Sequence, residues 1–125
     1  MPASLTAQEK EILLQVARSA IEAAVHRRTI LPLDPSLFSE ALRQPGVCFV
    51  TLTRLGVLRG CVGALEAYQP LIEDVREHAI AAALNDYRFP PVREDELEEI
   101  QIEISRLTSP QALAYQTPDE SLAAL

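Results

Sequence analysis

The residues best suited to chemistry lie in Leu58-Arg59-Gly60-Cys61-Val62-Gly63. A thiolate is the reactive form of cysteine, and a nearby cation favours it. Arg59 is two residues from Cys61, so on a strand the two side chains share a face. Gly60 and Gly63 remove bulk and let a ligand or another backbone come close. The pattern suits a nucleophilic, redox or substrate-contacting cysteine beside an anion-binding arginine. It equally suits a small apolar filler in a strand under a helix, with Arg59 merely solvated. A nucleophilic cysteine needs a general base, and no Cys-His spacing identifies one. His78, mid-helix among apolar residues, has the chemistry of a base, although the helix surface is the ordinary place for such a histidine. The two histidines and two cysteines lie on different elements and show no metal-ligand spacing, so no metal site is expected.

Other residues rank second. Asp86-Tyr87-Arg88-Phe89-Pro90-Pro91 follows a helix end. It reads either as a structural turn, with Arg88 bonding helix carbonyls and Phe89 plugging the core, or as the border of a pocket formed by Asp86 and Arg88. Thr51 and Glu103 fall on non-core strand faces. If their strands are neighbours, Glu103 is placed to pair with Arg59. There is no P-loop, Rossmann fingerprint, G-x-S-x-G elbow or H-E-x-x-H, and four glycines are too few for a phosphate-cradling loop.

The elements that must position these residues are readable. Thr6-Ala7-Gln8-Glu9 has capping-box spacing. Apolar residues from Ile12 to Val25 then repeat on one helical stripe, and His26-Arg27-Arg28 close it with favourable charge. A short helix is expected over Ser36–Arg43, stopped by Pro45-Gly46. Val47–Thr53 and Val57–Ala64 read as a hairpin. A two-residue loop at Leu55-Gly56 would set Leu52 against Arg59, mixing core and solvent. A three-residue loop, Arg54-Leu55-Gly56, pairs Leu52 with Leu58, Val50 with Gly60 and Cys48 with Val62, and is preferred because buried faces select register. Cys48 then faces the core. Cys61 lies on the opposite face with Arg59, Thr51 and Phe49, so a disulfide between the cysteines is not expected.

Pro70 begins a second long helix with Leu71, Val75, Ala79, Ala82 and Ala83 on one face. An acidic turn around Glu94–Glu99 leads to a third strand, Ile100–Leu107, with Ile100, Ile102 and Ile104 inward and Gln101, Glu103 and Ser105 outward. Thr117-Pro118-Asp119-Glu120 announces a further helix that ends within about two turns at Leu125. This predicts a domain lacking its C-terminal part. The fold class is α+β: an antiparallel sheet around a central hairpin, packed by two main helices.

The chain has 125 residues and is 48% hydrophobic, enough for one domain with a proper core. A net charge of −7 argues against nucleic acid and anionic membranes as partners. No apolar run approaches the roughly 20 residues of a membrane span, and the N-terminus has no signal-peptide pattern. Two cysteines make no disulfide scaffold, so a cytoplasmic protein with reduced thiols is expected.

Four motifs in order resemble the AMMECR domain family. They are Phe49-Val50-Thr51-Leu52, the hexapeptide Leu58–Gly63 with Val62 where isoleucine is more usual, Asp86–Pro91 with Tyr87 in place of a usual proline, and Ile102-Glu103-Ile104-Ser105. The resemblance covers essentially residues 1–125 and implies an α+β fold. It implies kinship with protein A of the AmmeMemoRadiSam system, whose companions are a Memo-like protein and a radical-SAM protein. It implies an active or binding site lined by Arg59, Gly60, Cys61 and Gly63, with Asp86, Arg88 and Glu103 behind them. It also implies a chain continuing well past the position of Leu125.

Two function classes follow. One is a thiol-dependent enzyme, or part of one, acting on a small anionic or carbonyl substrate through Cys61 and Arg59, with strand N–H groups as oxyanion donors. The other is a binding or adaptor module that docks a protein or small ligand at Leu58–Gly63 without chemistry. A purely structural hexapeptide is the third alternative. The residues name no cofactor.

Overall fold

The computed structural model describes residues 5–107. Helix α1, Ala7–Val25, starts where its cap dictates: Thr6 Oγ1 accepts the Glu9 N–H at 3.0 Å, and Glu9 Oε1 accepts the Thr6 N–H at 2.9 Å. The helix expected over Ser36–Arg43 is instead two short pieces. A 3₁₀ turn spans Pro35–Leu37, capped by Asp34, and α2 spans Glu40–Arg43. Strands β1 (Val47–Arg54), β2 (Val57–Gly63) and β3 (Ile100–Leu107) form an antiparallel sheet of order β2-β1-β3. Helix α3, Leu71–Leu84, starts after Pro70, and a 3₁₀ helix spans Glu94–Glu99. The architecture is α+β. The helix start expected at Thr117–Glu120 lies outside the described residues.

The core is a sandwich of α1 and α3 against one sheet face. Leu13, Ala17 and Ile21 of α1 meet Leu71, Val75, Ala79 and Ala82 of α3, over Cys48, Val50 and Leu52 of β1. Small alanines on α3 allow the helix to sit low on the sheet.

The hairpin register departs from the expected one. The loop has two residues, Leu55 and Gly56, both at positive φ (53° and 82°), as a primed hairpin turn requires. Thr53 therefore pairs with Leu58, yet Leu52 pairs with Gly60, Thr51 with Cys61 and Val50 with Val62. Arg59 is the extra residue, a β-bulge. The bulge removes the conflict that disfavoured a tight loop: it takes Arg59 out of register, so the core face of β1 meets Gly60 and Val62. Cys48 stays on the core face and Cys61 on the opposite one, as expected, and both thiols are free.

Candidate functional site

The bulge turns Arg59 towards the 3₁₀ helix and the loop after α3. Its Nε and Nη2 donate to Glu96 Oε2 and Oε1 at 3.1 and 2.9 Å, and Nη1 and Nη2 donate to the Pro90 and Pro91 carbonyls at 2.7 and 3.2 Å. Arg54 Nη1 adds a bond to Glu96 Oε2 at 3.1 Å, and the Arg93 N–H bonds Oε1 at 2.8 Å. The Arg59 hydrogen bonds, chiefly, hold the Glu96 carboxyl down to about 2. Arg59 does not pair with Glu103, because Glu96 has taken its place.

Gly60 is fixed by packing. A Cβ there would lie 2.1 Å from the Ala82 carbonyl oxygen of α3. One at Gly63 would lie 2.6 Å from the Phe49 ring and 2.8 Å from the Cys48 carbonyl oxygen. Both glycines serve close approach of this chain to itself.

Cys61 is half-buried. Its Sγ lies 3.3 Å from Thr51 Oγ1 across the pair. Thr51 in turn pairs with Glu103 of β3. Cys61, Thr51 and Glu103 thus form one row across the outer sheet face, and Glu103 is exposed. At the sheet edge the Cys61 N–H donates to Asp86 Oδ2 at 3.0 Å. Arg88 grips Asp86 through Nε–Oδ1 and Nη2–Oδ2, 3.0 and 2.7 Å, and reaches the Cys61 carbonyl at 3.4 Å. The Arg88 side chain, above all, holds the buried Asp86 carboxyl well below the usual carboxylate range. Among the described residues Arg88 bonds no helix carbonyl, and Phe89 lies under its guanidinium, 5.4 Å from ring centre to Cζ, rather than in the core.

A second constellation lies inside the sandwich. His78 is 5% exposed, not on the helix surface, because α3 turns it inward onto β1. Its Nδ1 is 3.1 Å from Asp74 Oδ2, which also accepts the Cys48 N–H at 3.0 Å and S–H at 3.3 Å. Cys48 Sγ and His78 Nδ1 are 4.0 Å apart. Burial first, then the Asp74 charge, pushes the Cys48 thiol far above its usual range. A catalytic cysteine would need exposure and a lowered value, and Cys48 has neither. These residues were missed as a group. The one signal was Asp74 and His78 spaced four apart, hence neighbours on one face of α3.

The model of the AMMECR1 family matches residues 14–123. The chain belongs to the AMMECR1 family. A protein of Methanothermobacter thermautotrophicus is 42% identical over 116 residues, covering 93% of this chain and 60% of that protein. One of Methanopyrus kandleri is 40% identical over 123 residues, covering 96% and 58%. The crystal structure of an uncharacterised Pyrococcus horikoshii protein superposes with a TM-score of 0.75 at 34% identity, covering 83% of this chain and 53% of that one. The chain thus spans a little over half the length of these AMMECR1-like relatives. No helix among the described residues is long and apolar enough to cross a membrane.

Proposed function

We propose that this AMMECR1 chain is a binding module that docks a partner polypeptide on the outer sheet face, along the row Cys61–Thr51–Glu103. What carries the reading is how the neighbours of Cys61 are spent. Arg59 is committed to Glu96 and two prolyl carbonyls, and the Cys61 N–H is committed to Asp86. The cation and the oxyanion donor that thiol chemistry requires are both occupied by structure. The row itself runs across strands on the outer sheet face, whereas small-ligand sites are concave. Two cavities lined by described residues lie elsewhere, one between α1 and β3 reaching Arg18, the other between α1 and Arg76. By the family resemblance, the partner is a Memo-like or radical-SAM protein of the same system, met in the cytoplasm, where free thiols persist.

One observation favours the thiol-enzyme reading as second. Arg88 sits beside Cys61, its Nη2 3.4 Å from the Cys61 carbonyl oxygen. The pH profile of iodoacetamide labelling at Cys61, read separately from Cys48 by peptide mass spectrometry, separates the two. The binding reading expects the same profile in wild type and Arg88→Ala. It also expects Thr51→Arg to weaken a complex with the Memo-like or radical-SAM protein about tenfold or more. A profile that moves to higher pH in Arg88→Ala, with complexes indifferent to Thr51→Arg, would establish the thiol reading instead.

A further inference from the structure

We propose that Cys48, Asp74 and His78 form a buried binding site for one divalent metal ion of the zinc type. The three donors come from two packed elements, β1 and α3, and none belongs to the hexapeptide or the outer face. Their atoms Sγ, Oδ2 and Nδ1 stand 3.3, 3.1 and 4.0 Å apart. A point equidistant from such a triangle lies about 2 Å from each corner. That matches metal–nitrogen and metal–oxygen bonds of about 2.0–2.1 Å and is slightly short for a metal–sulfur bond of about 2.3 Å. An ion displaced about half an ångström or slightly more out of the donor plane, and a little away from Sγ, fits all three.

Charge supports the fit. Cys48 and Asp74 are fully buried and His78 nearly so. A thiolate and a carboxylate carry two negative charges, and a divalent cation cancels them, so the filled site adds no net charge to the core. The donor set is selective: thiolate with imidazole suits zinc-class ions, while magnesium and calcium take oxygen donors.

The surroundings resemble a supported site. Asp74 Oδ1 is held by Gln69 Nε2 at 3.1 Å, and the Cys48 N–H orients Oδ2. Such outer contacts fix ligand direction. The same Gln69 nitrogen reaches the exposed Glu77 at 3.3 Å, which places Gln69 between the donors and solvent. Three protein donors leave a fourth position to water. On binding, the Cys48 S–H bond breaks, its proton leaves to solvent, and a metal–sulfur bond forms. No oxidation state changes.

The full chain, stripped with a chelator and kept reduced with a phosphine, is titrated with cobalt(II) chloride. The proposal expects one ion per chain, a thiolate-to-cobalt charge-transfer band in the near ultraviolet, and loss of that band when zinc chloride is added. Cys61→Ala should keep the band and Cys48→Ala should lose it. His78→Gln should weaken binding about tenfold or more. If the buried variants fail to fold, the wild-type spectrum and Cys61→Ala decide alone. No charge-transfer band at excess cobalt, or a band that Cys61→Ala removes, overturns the site and leaves Cys48, Asp74 and His78 as a hydrogen-bonded network.

Discussion

Arg59 and Glu96 form a two-pronged ion pair, Nη2–Oε1 at 2.9 Å and Nε–Oε2 at 3.1 Å, that ties the bulge of β2 to the 3₁₀ helix 37 residues later. Their side chains are only 12% and 5% exposed. Removing one partner therefore strands a desolvated charge. Arg59→Ala or Glu96→Gln should cost roughly 3 kcal/mol in urea unfolding. Arg54→Ala, whose side chain is 37% exposed, should cost under about 1 kcal/mol.

The same pair sets the acid limit of the fold. Glu96 is held down to about 2 from an ordinary 4.5, and Asp86 is also held low. A carboxylate lowered on folding stabilises above its unfolded value, and that contribution is lost as pH falls through the folded one. Melting temperature should therefore fall steeply between about pH 4.5 and 2. In Glu96→Gln the slope over that window should be shallower, although the variant starts less stable. An equal slope in wild type and variant would remove Glu96 as the cause.

Glycines in one hairpin should respond unequally to alanine. Gly60→Ala drives a Cβ into the Ala82 carbonyl, a contact that only a shift of β2 or α3 relieves. We expect a loss of about 3 kcal/mol. At Gly56 the space is open but φ is +82°, so the cost is conformational, about 1 kcal/mol. Chemical denaturation of the two variants side by side checks the order.

Cys61→Ala tests whether the hexapeptide cysteine holds the fold. Its thiol is half-buried and meets the Thr51 hydroxyl across the pair. The variant should stay within about 1 kcal/mol of wild type in urea unfolding. A larger loss would put Cys61 with Arg59 and Gly60 among the residues that the fold depends on.

Local signals were legible wherever one short segment decided the outcome. The Thr6–Glu9 cap, the inward stripe of α3 and the alternation of Ile100, Ile102 and Ile104 each depend on neighbours a few residues away. The faces of Cys48 and Cys61 were legible for the same reason. Loop length was not, because the sequence offered a tight turn and a clean core face as rivals, and the Arg59 bulge satisfies both. The partner of Arg59 was hidden by distance along the chain. So was the meeting of Cys48 with Asp74 and His78, which depends on how α3 rotates over β1.

Asp86 has one more consequence. Strand β2 lies at an edge of the sheet among the described residues, and edges invite strands from other molecules. At Cys61 the outward N–H is already taken by a carboxylate that Arg88 clamps on two sides. An incoming strand would have to displace an ion pair to gain one backbone bond. This turn after α3 therefore guards the hairpin against edge-to-edge aggregation at Cys61.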